Sequence, residues 1–169
     1  MTSRERVLTT LQHKEPDKVP ADFGGMRSTG LMAIAYNRLK KYLGMKGGET
    51  RVYDPTQQLA EPEKEILDMF EVDVVDLNNS FGMRGEKWKD WTLPDGSVGK
   101  MPVDSYPVWE NDEWVLKNGE RSRAHMPTGC LYFENCNPVL EHVDTTTQMR
   151  KTDWKKYFTD EQLTEFEEK

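Results

Sequence analysis

Gly24-Gly25-Met26-Arg27-Ser28-Thr29-Gly30 places a guanidinium, two hydroxyls and flexible backbone between a short apolar segment and a helix-like one. Backbone amides gathered in such a turn, with a cation beside them, can hold a carboxylate or a phosphate. Gly25, Met26, Arg27, Ser28 and Thr29 are therefore candidate substrate contacts. The turn is no nucleotide loop, because it has neither a G-x-G-x-x-G spacing nor a Walker lysine. A second candidate group, Asp76 near the end of the VDVVDL run with Asn78, Asn79 and Ser80 just after it, offers hydrogen-bond donors and acceptors at a strand end. No residue stands out as a catalytic acid, base or nucleophile.

Cys130, Cys136, His125 and His142 are of zinc-ligand type, but their spacing matches no zinc knuckle or ribbon, so no metal site is expected in this chain. The two cysteines read as free thiols in a reducing compartment. Tryptophans 88, 91, 109 and 114, with Tyr106, Tyr132 and Phe133, suit the packing of a small sheet better than a stacking platform for a planar ligand.

The elements that must position these groups alternate at first between helix and strand. Thr2 or Ser3 can cap a helix over residues 2–13, with Val7, Leu8 and Leu11 on one face, and Pro16 lies beyond its end. Residues 19–23 read as a strand ended by Gly24-Gly25. Ser28 or Thr29 can cap a second helix with Leu31, Ile34, Ala35, Arg38, Leu39 and Leu43 as its apolar stripe, stopped by Gly44, Gly47 and Gly48. Arg51-Val52-Tyr53 is a brief strand, Asp54-Pro55 opens a turn or helix, and residues 62–69 form a helix before the buried strand VDVVDL. From residue 86 the tryptophans, Pro94-Asp95-Gly96 and Asn118-Gly119 describe antiparallel hairpins. Residues 153–169 read as an acidic amphipathic helix with no Gly or Pro to stop it.

The formal net charge of −7 and a pI near 5.1 repel nucleic acid and anionic membranes, leaving small molecules and proteins as expected partners. Neither a signal peptide nor a membrane-spanning run is read from the sequence, so a cytoplasmic setting is expected.

The opening SRERVLTTLQHKEPDKVPADFGG, then STGLMAIAYNRLKKYLG, ETRVYDPTQQLAEPEKEILDMFEVDVVDL and the W-x-x-W-T-L-P-D-G hairpin together resemble uroporphyrinogen-decarboxylase-like proteins. The resemblance implies an α/β fold, the N-terminal half of a (β/α)8 barrel carrying an antiparallel β-hairpin excursion, since such barrels need roughly 250 residues. It divides the chain into barrel units over residues 1–85, the excursion over 86–150 and a connecting helix over 151–169. The decarboxylases carry M-R-Q-A-G-R-Y after the first strand. Here Met26, Arg27 and Gly30 match, Ser28 and Thr29 replace the middle pair, and Leu31 stands for the second arginine. Asn78, Asn79 and Ser80 occupy the region where the decarboxylases place an aspartate. The chain is thus more similar to the cobamide-dependent methyltransferase branch. That implies a corrinoid protein as partner, with corrinoid and zinc serving the complete enzyme and no ligand carried here. The remaining barrel half, from the same gene or a second chain, is the other implied partner, and this chain by itself is expected to be inactive. A porphyrinogen decarboxylase, or a non-catalytic half-barrel subunit, are the alternative readings. Arg27 is expected at the barrel mouth, binding an anionic group.

Overall fold

A computed structural model describes residues 1–76, 87–118 and 121–136. Asn78, Asn79, Ser80, His142 and the helix expected over residues 153–169 lie outside the described residues. The chain divides into two compact units, Met1–Glu134 and Asn135–Lys169, and only residues 135 and 136 of the second are described.

Helix α1 spans Ser3–Leu11 and starts as its sequence dictates. Thr2 accepts from the Glu5 amide at 3.2 Å while the Glu5 carboxylate accepts from the Thr2 amide at 2.8 Å, a reciprocal capping box. Its Arg6 is buried and acts as a staple between distant segments. The guanidinium Nε donates to Asp17 at 2.7 Å and Nη1 donates to Asp73. Asp73 in turn accepts from the Ala21 amide at 3.0 Å, and its own amide donates to the Ala21 carbonyl at 2.8 Å. The Pro16-Asp17 turn is therefore tied through Arg6 to the segment that begins the VDVVDL run, and Asp22 meets Val74 in an isolated parallel bridge.

Both carboxyls are held below the usual carboxylate range. For Asp17 the hydrogen bond from Arg6 is the main cause, and for Asp73 it is the Ala21 amide, with Arg6 adding to it. Depressed carboxyls stabilise the fold above their unfolded pKa and lose that contribution as pH falls through the folded value. Thermal unfolding should therefore show Tm declining as pH drops below about 4, the unfolded aspartate value. In Arg6→Leu the Tm at neutral pH should be lower and the acid dependence flatter. An unchanged acid slope in that variant would show that Arg6 does not hold these carboxyls.

Helix α2 spans Ala33–Tyr42 and buries Ala33, Ile34, Tyr36 and Lys40, a face rotated from the expected one. The reason lies across the interface, where Glu63 receives the buried Lys40 ammonium at 2.6 Å and a hydrogen bond from the Tyr36 hydroxyl at 3.1 Å. The Tyr36 oxygen also accepts from the Glu63 amide at 2.8 Å. Strand β1, Val52–Asp54, pairs antiparallel with β2, Leu59–Ala60, and α3 covers Lys64–Met69 with Ile66 buried.

The hairpins follow their turn residues. Strand β3, Trp88–Thr92, pairs with β4, Val98–Pro102, across Pro94-Asp95-Gly96. Asn111 and Asp112, both with positive φ, join β5, Val108–Glu110, to β6, Glu113–Asn118, and β7, Arg121–Pro127, lies beside β6. The two-residue β8, Glu134–Asn135, completes that sheet.

This architecture corrects the half-barrel expectation. The described residues hold small antiparallel sheets and short helices, and their parallel pairing is reduced to isolated bridges at Asp22–Val74 and Arg51–Lys100. Residues 19–23 and 72–76 form no strand ladder, and Val75 is half-exposed rather than buried in a sheet. The physical cause is visible in the core. Trp91, Met101, Leu116, Ala124, Met126 and Phe133 from the hairpin region pack with Ala33, Ile34, Tyr36, Val52, Ala60 and Ile66. The hairpins supply half of one hydrophobic cluster instead of lying over a separate barrel end.

Candidate functional site

The Gly24–Gly30 turn is held closed by its own polar groups. Asp22 Oδ1 accepts from the Gly25 amide at 2.8 Å and lies 3.0 Å from the Thr29 hydroxyl, which is also 3.1 Å from the Met26 carbonyl. The Gly24 amide donates to Thr29, the Thr29 amide to Met26 and the Gly30 amide to Arg27, at 3.0–3.1 Å. The paired glycines follow from space. Gly24 has φ +82, and a Cβ on Gly25 would sit 2.6 Å from Asp22 Oδ1 and 2.8 Å from Val74. With the Gly24, Gly25, Met26, Thr29 and Gly30 amides spent inside the turn, little of the expected anion cradle is left.

Arg27 is engaged as well. Its Nε stands 2.6 Å from Oδ2 of Asp54, a carboxylate almost fully buried at the end of β1, although the guanidinium itself is largely exposed. The other Asp54 oxygen accepts from the Gln57 amide at 2.9 Å, so this aspartate both shapes the Asp54-Pro55 turn and neutralises the arginine. Beside it Tyr53 is 8% exposed, and its buried hydroxyl has no hydrogen-bond partner among the described residues. Burial raises the Tyr53 pKa, and the neighbouring Asp54 and Asp76 carboxylates raise it further, against the opposing charge of Arg27. The phenol stays protonated.

Of the residues singled out by sequence, Arg27 pairs with Asp54 next to Tyr53, the charge of Asp76 acts on the same phenol, and Thr29 is bonded to Asp22. Met26 and Ser28 are exposed. Asp22, Tyr53 and Asp54 were not singled out. Tyr53 read as one residue of a brief strand and Asp54 as a turn former, and only the tertiary approach of Arg27 distinguishes them from ordinary turn residues. A cavity of about 30 Å³, whose lining includes Phe23, Gly24, Glu61, Pro62, Val74 and Asp76, has room for one water-sized group.

The larger hollow of about 670 Å³ lies elsewhere, between the end of α2 and β4. Its Lys40 and Lys100 are paired with Glu63 and Glu49, at 2.6 and 2.7 Å, and it holds none of the expected site residues. Cys130 and Cys136 are unbridged, and His125 Nδ1 lies 3.0 Å from Glu113. Among the described residues no group of three or more His, Cys, Asp or Glu could hold a metal ion, and no helix is long and apolar enough to cross a membrane.

No protein-family model matches the chain, and no curated protein and no solved structure matches it either.

Proposed function

We propose that this chain is a uroporphyrinogen-decarboxylase-like protein working in a cobamide-dependent methyltransferase system in the cytoplasm, with the Gly24–Gly30 turn and Asp54 forming part of the methyl-donor subsite. The motifs of the opening segment support the family, and the Arg27–Asp54 pair carries the choice of reaction. A porphyrinogen decarboxylase must meet several carboxylates with unpaired arginines. In this chain the arginine of the turn is already neutralised at 2.6 Å by Asp54, and the position of the second is Leu31, which packs against the hydrophobic core. A donor without an anionic group fits these residues better.

In this reading a corrinoid, carried by a separate protein, accepts the methyl group, and zinc would serve the complete enzyme with no ligand from this chain. What the chain's own groups do is bind and orient: Asp22 and Thr29 fix the turn, Asp54 fixes Arg27, and the Tyr53 hydroxyl has no partner among the described residues.

The test mixes the purified chain with cob(I)alamin and a panel of N-, O- and S-methylated donors, with and without soluble cell extract to supply partner proteins. Chain-dependent methylation of the corrinoid, read from its absorbance spectrum, is the expected result. Release of carbon dioxide from uroporphyrinogen without any corrinoid would contradict the proposal.

A further inference from the structure

The hollow of about 670 Å³ between the end of α2 and β4 falls within the size range of small-molecule sites. Its floor is fixed, because the Asn37 side-chain amide donates at 3.0 Å to both the Ser97 hydroxyl and the Val98 carbonyl and so ties the helix to the hairpin. Charge there runs against that of the whole chain. Lys40, Lys41, Lys46 and Lys100 line the hollow with Glu49 as their one carboxylate, whereas the sequence carries 30 acidic against 23 basic residues. Glu63 neutralises Lys40 at 2.6 Å and Glu49 neutralises Lys100 at 2.7 Å. Lys41 and Lys46 are exposed and make no ion pair among the described residues, so two ammonium charges are left over.

Unpaired lysines are ordinary on a surface, but here the backbone adds to them. The last turn of α2 is covered, since the Gly44 amide donates to the Lys41 carbonyl at 3.1 Å and the Met45 amide to the Lys40 carbonyl at 3.0 Å, which leaves less of the helix's negative end open to repel an anion. Just beyond, the amides of Lys46, Gly47 and Gly48 donate to no acceptor among the described residues. Gly48, with φ +84, lets this loop pass close to the buried Lys40, whose ammonium lies 3.1 Å from where a Cβ on Gly48 would stand. Free backbone amides beside ammonium groups are a donor set for phosphate oxygens. A phosphate monoester carries about −1.5 to −2 charges at neutral pH, which two free lysines balance.

We infer that this hollow binds a small organic phosphate monoester. Lys41 and Lys46 balance its charge, the amides of residues 46–48 donate to its oxygens, and Met45 and Val98 flank its organic body. The hollow shares no residue with the Gly24–Gly30 turn or Asp54, so the inference does not depend on the proposed methyl transfer.

Isothermal titration of the purified chain with phenyl phosphate, against inorganic phosphate and benzoate at matched ionic strength, tests it. Saturable binding of phenyl phosphate is expected, with inorganic phosphate weaker for want of an organic body and benzoate weaker for its single charge. Lys41→Gln and Lys46→Gln should each weaken binding about tenfold, the worth of one charge-assisted hydrogen bond. Both side chains are exposed, so the melting temperature should not fall. Glu49→Gln should tighten binding, because it removes the carboxylate that occupies Lys100. Lys14→Gln, an exposed lysine of the segment after α1 and outside the hollow, should leave the affinity unchanged. An equal loss in Lys14→Gln would overturn the inference in favour of overall charge alone. Inorganic phosphate or benzoate binding as tightly as phenyl phosphate would overturn the ligand class, and no saturable binding of phenyl phosphate would overturn the inference outright.

Discussion

Trp91→Ala is expected to leave the chain largely unfolded at room temperature. Trp91 is 2% exposed and meets the rings of Trp114 and Tyr106 edge-on at 4.9 and 5.7 Å, so truncation opens a large cavity in the cluster shared by α2, β1 and the hairpins. Removing a buried aromatic side chain costs about 3–5 kcal/mol. The loss does not stop there, because the Trp91 indole donates at 2.9 Å to Gln58 Oε1, and Gln58 is fully buried. Leaving that oxygen unpaired adds about 1–3 kcal/mol, against total stabilities of roughly 5–15 kcal/mol for proteins of this kind. Trp91→Phe should lose the hydrogen bond and keep most of the packing. Urea unfolding checks both, with midpoints falling in the order wild type, Trp91→Phe, Trp91→Ala. Equal midpoints for the two variants would show that ring volume contributes little, and a Trp91→Phe midpoint equal to that of the wild type would show the same of the indole hydrogen bond.

Gly48→Ala is the second large effect. Gly48 has φ +84, and a Cβ there would fall 1.6 Å from Glu63 Oε1. The Glu63 side chain cannot swing clear without cost, since its other oxygen is anchored on the buried Lys40 ammonium at 2.6 Å and the Tyr36 hydroxyl at 3.1 Å. The strained backbone and the overpacking each cost about 1–3 kcal/mol. Gly44→Ala separates the two terms. Its φ is +70, but nothing lies within 4 Å of the added Cβ, so it carries the backbone cost alone. A clearly lower unfolding midpoint for Gly48→Ala than for Gly44→Ala is expected, and equal midpoints would mean that Glu63 yields freely.

The comparison of these two glycines shows what a sequence can and cannot reveal. Gly44, Gly47 and Gly48 all read as helix stops, and local conformation is enough to foresee that role. That Gly48 must also lack a side chain depends on Glu63, fifteen or so positions away along the chain and brought near only by folding. The same limit applies to α2. Its existence follows from its periodicity, but the burial of Tyr36 and Lys40 follows from Glu63. Local signals did foresee the Thr2 cap of α1, the β3–β4 turn and the Asp54-Pro55 turn. The barrel expectation failed where it relied on resemblance and on short apolar runs, because residues 19–23 and 72–76 find isolated bridges rather than ladders while the tryptophan hairpins supply core. At the candidate site Arg27 was legible as a cation in a turn. Its neutralisation by Asp54 was not, and that pairing removes the free cation on which the anion-binding expectation rested.

The most direct measurement of that pairing is an NMR titration of the ¹⁵N-labelled chain with sodium acetate, following backbone amides and the arginine Nε–H signals. The account predicts no saturable shift at Arg27 Nε in the wild type, because Asp54 already holds the guanidinium, and a saturable shift there in Asp54→Asn. A saturable shift of Arg27 Nε and of the Gly25 and Thr29 amides in the wild type would contradict it.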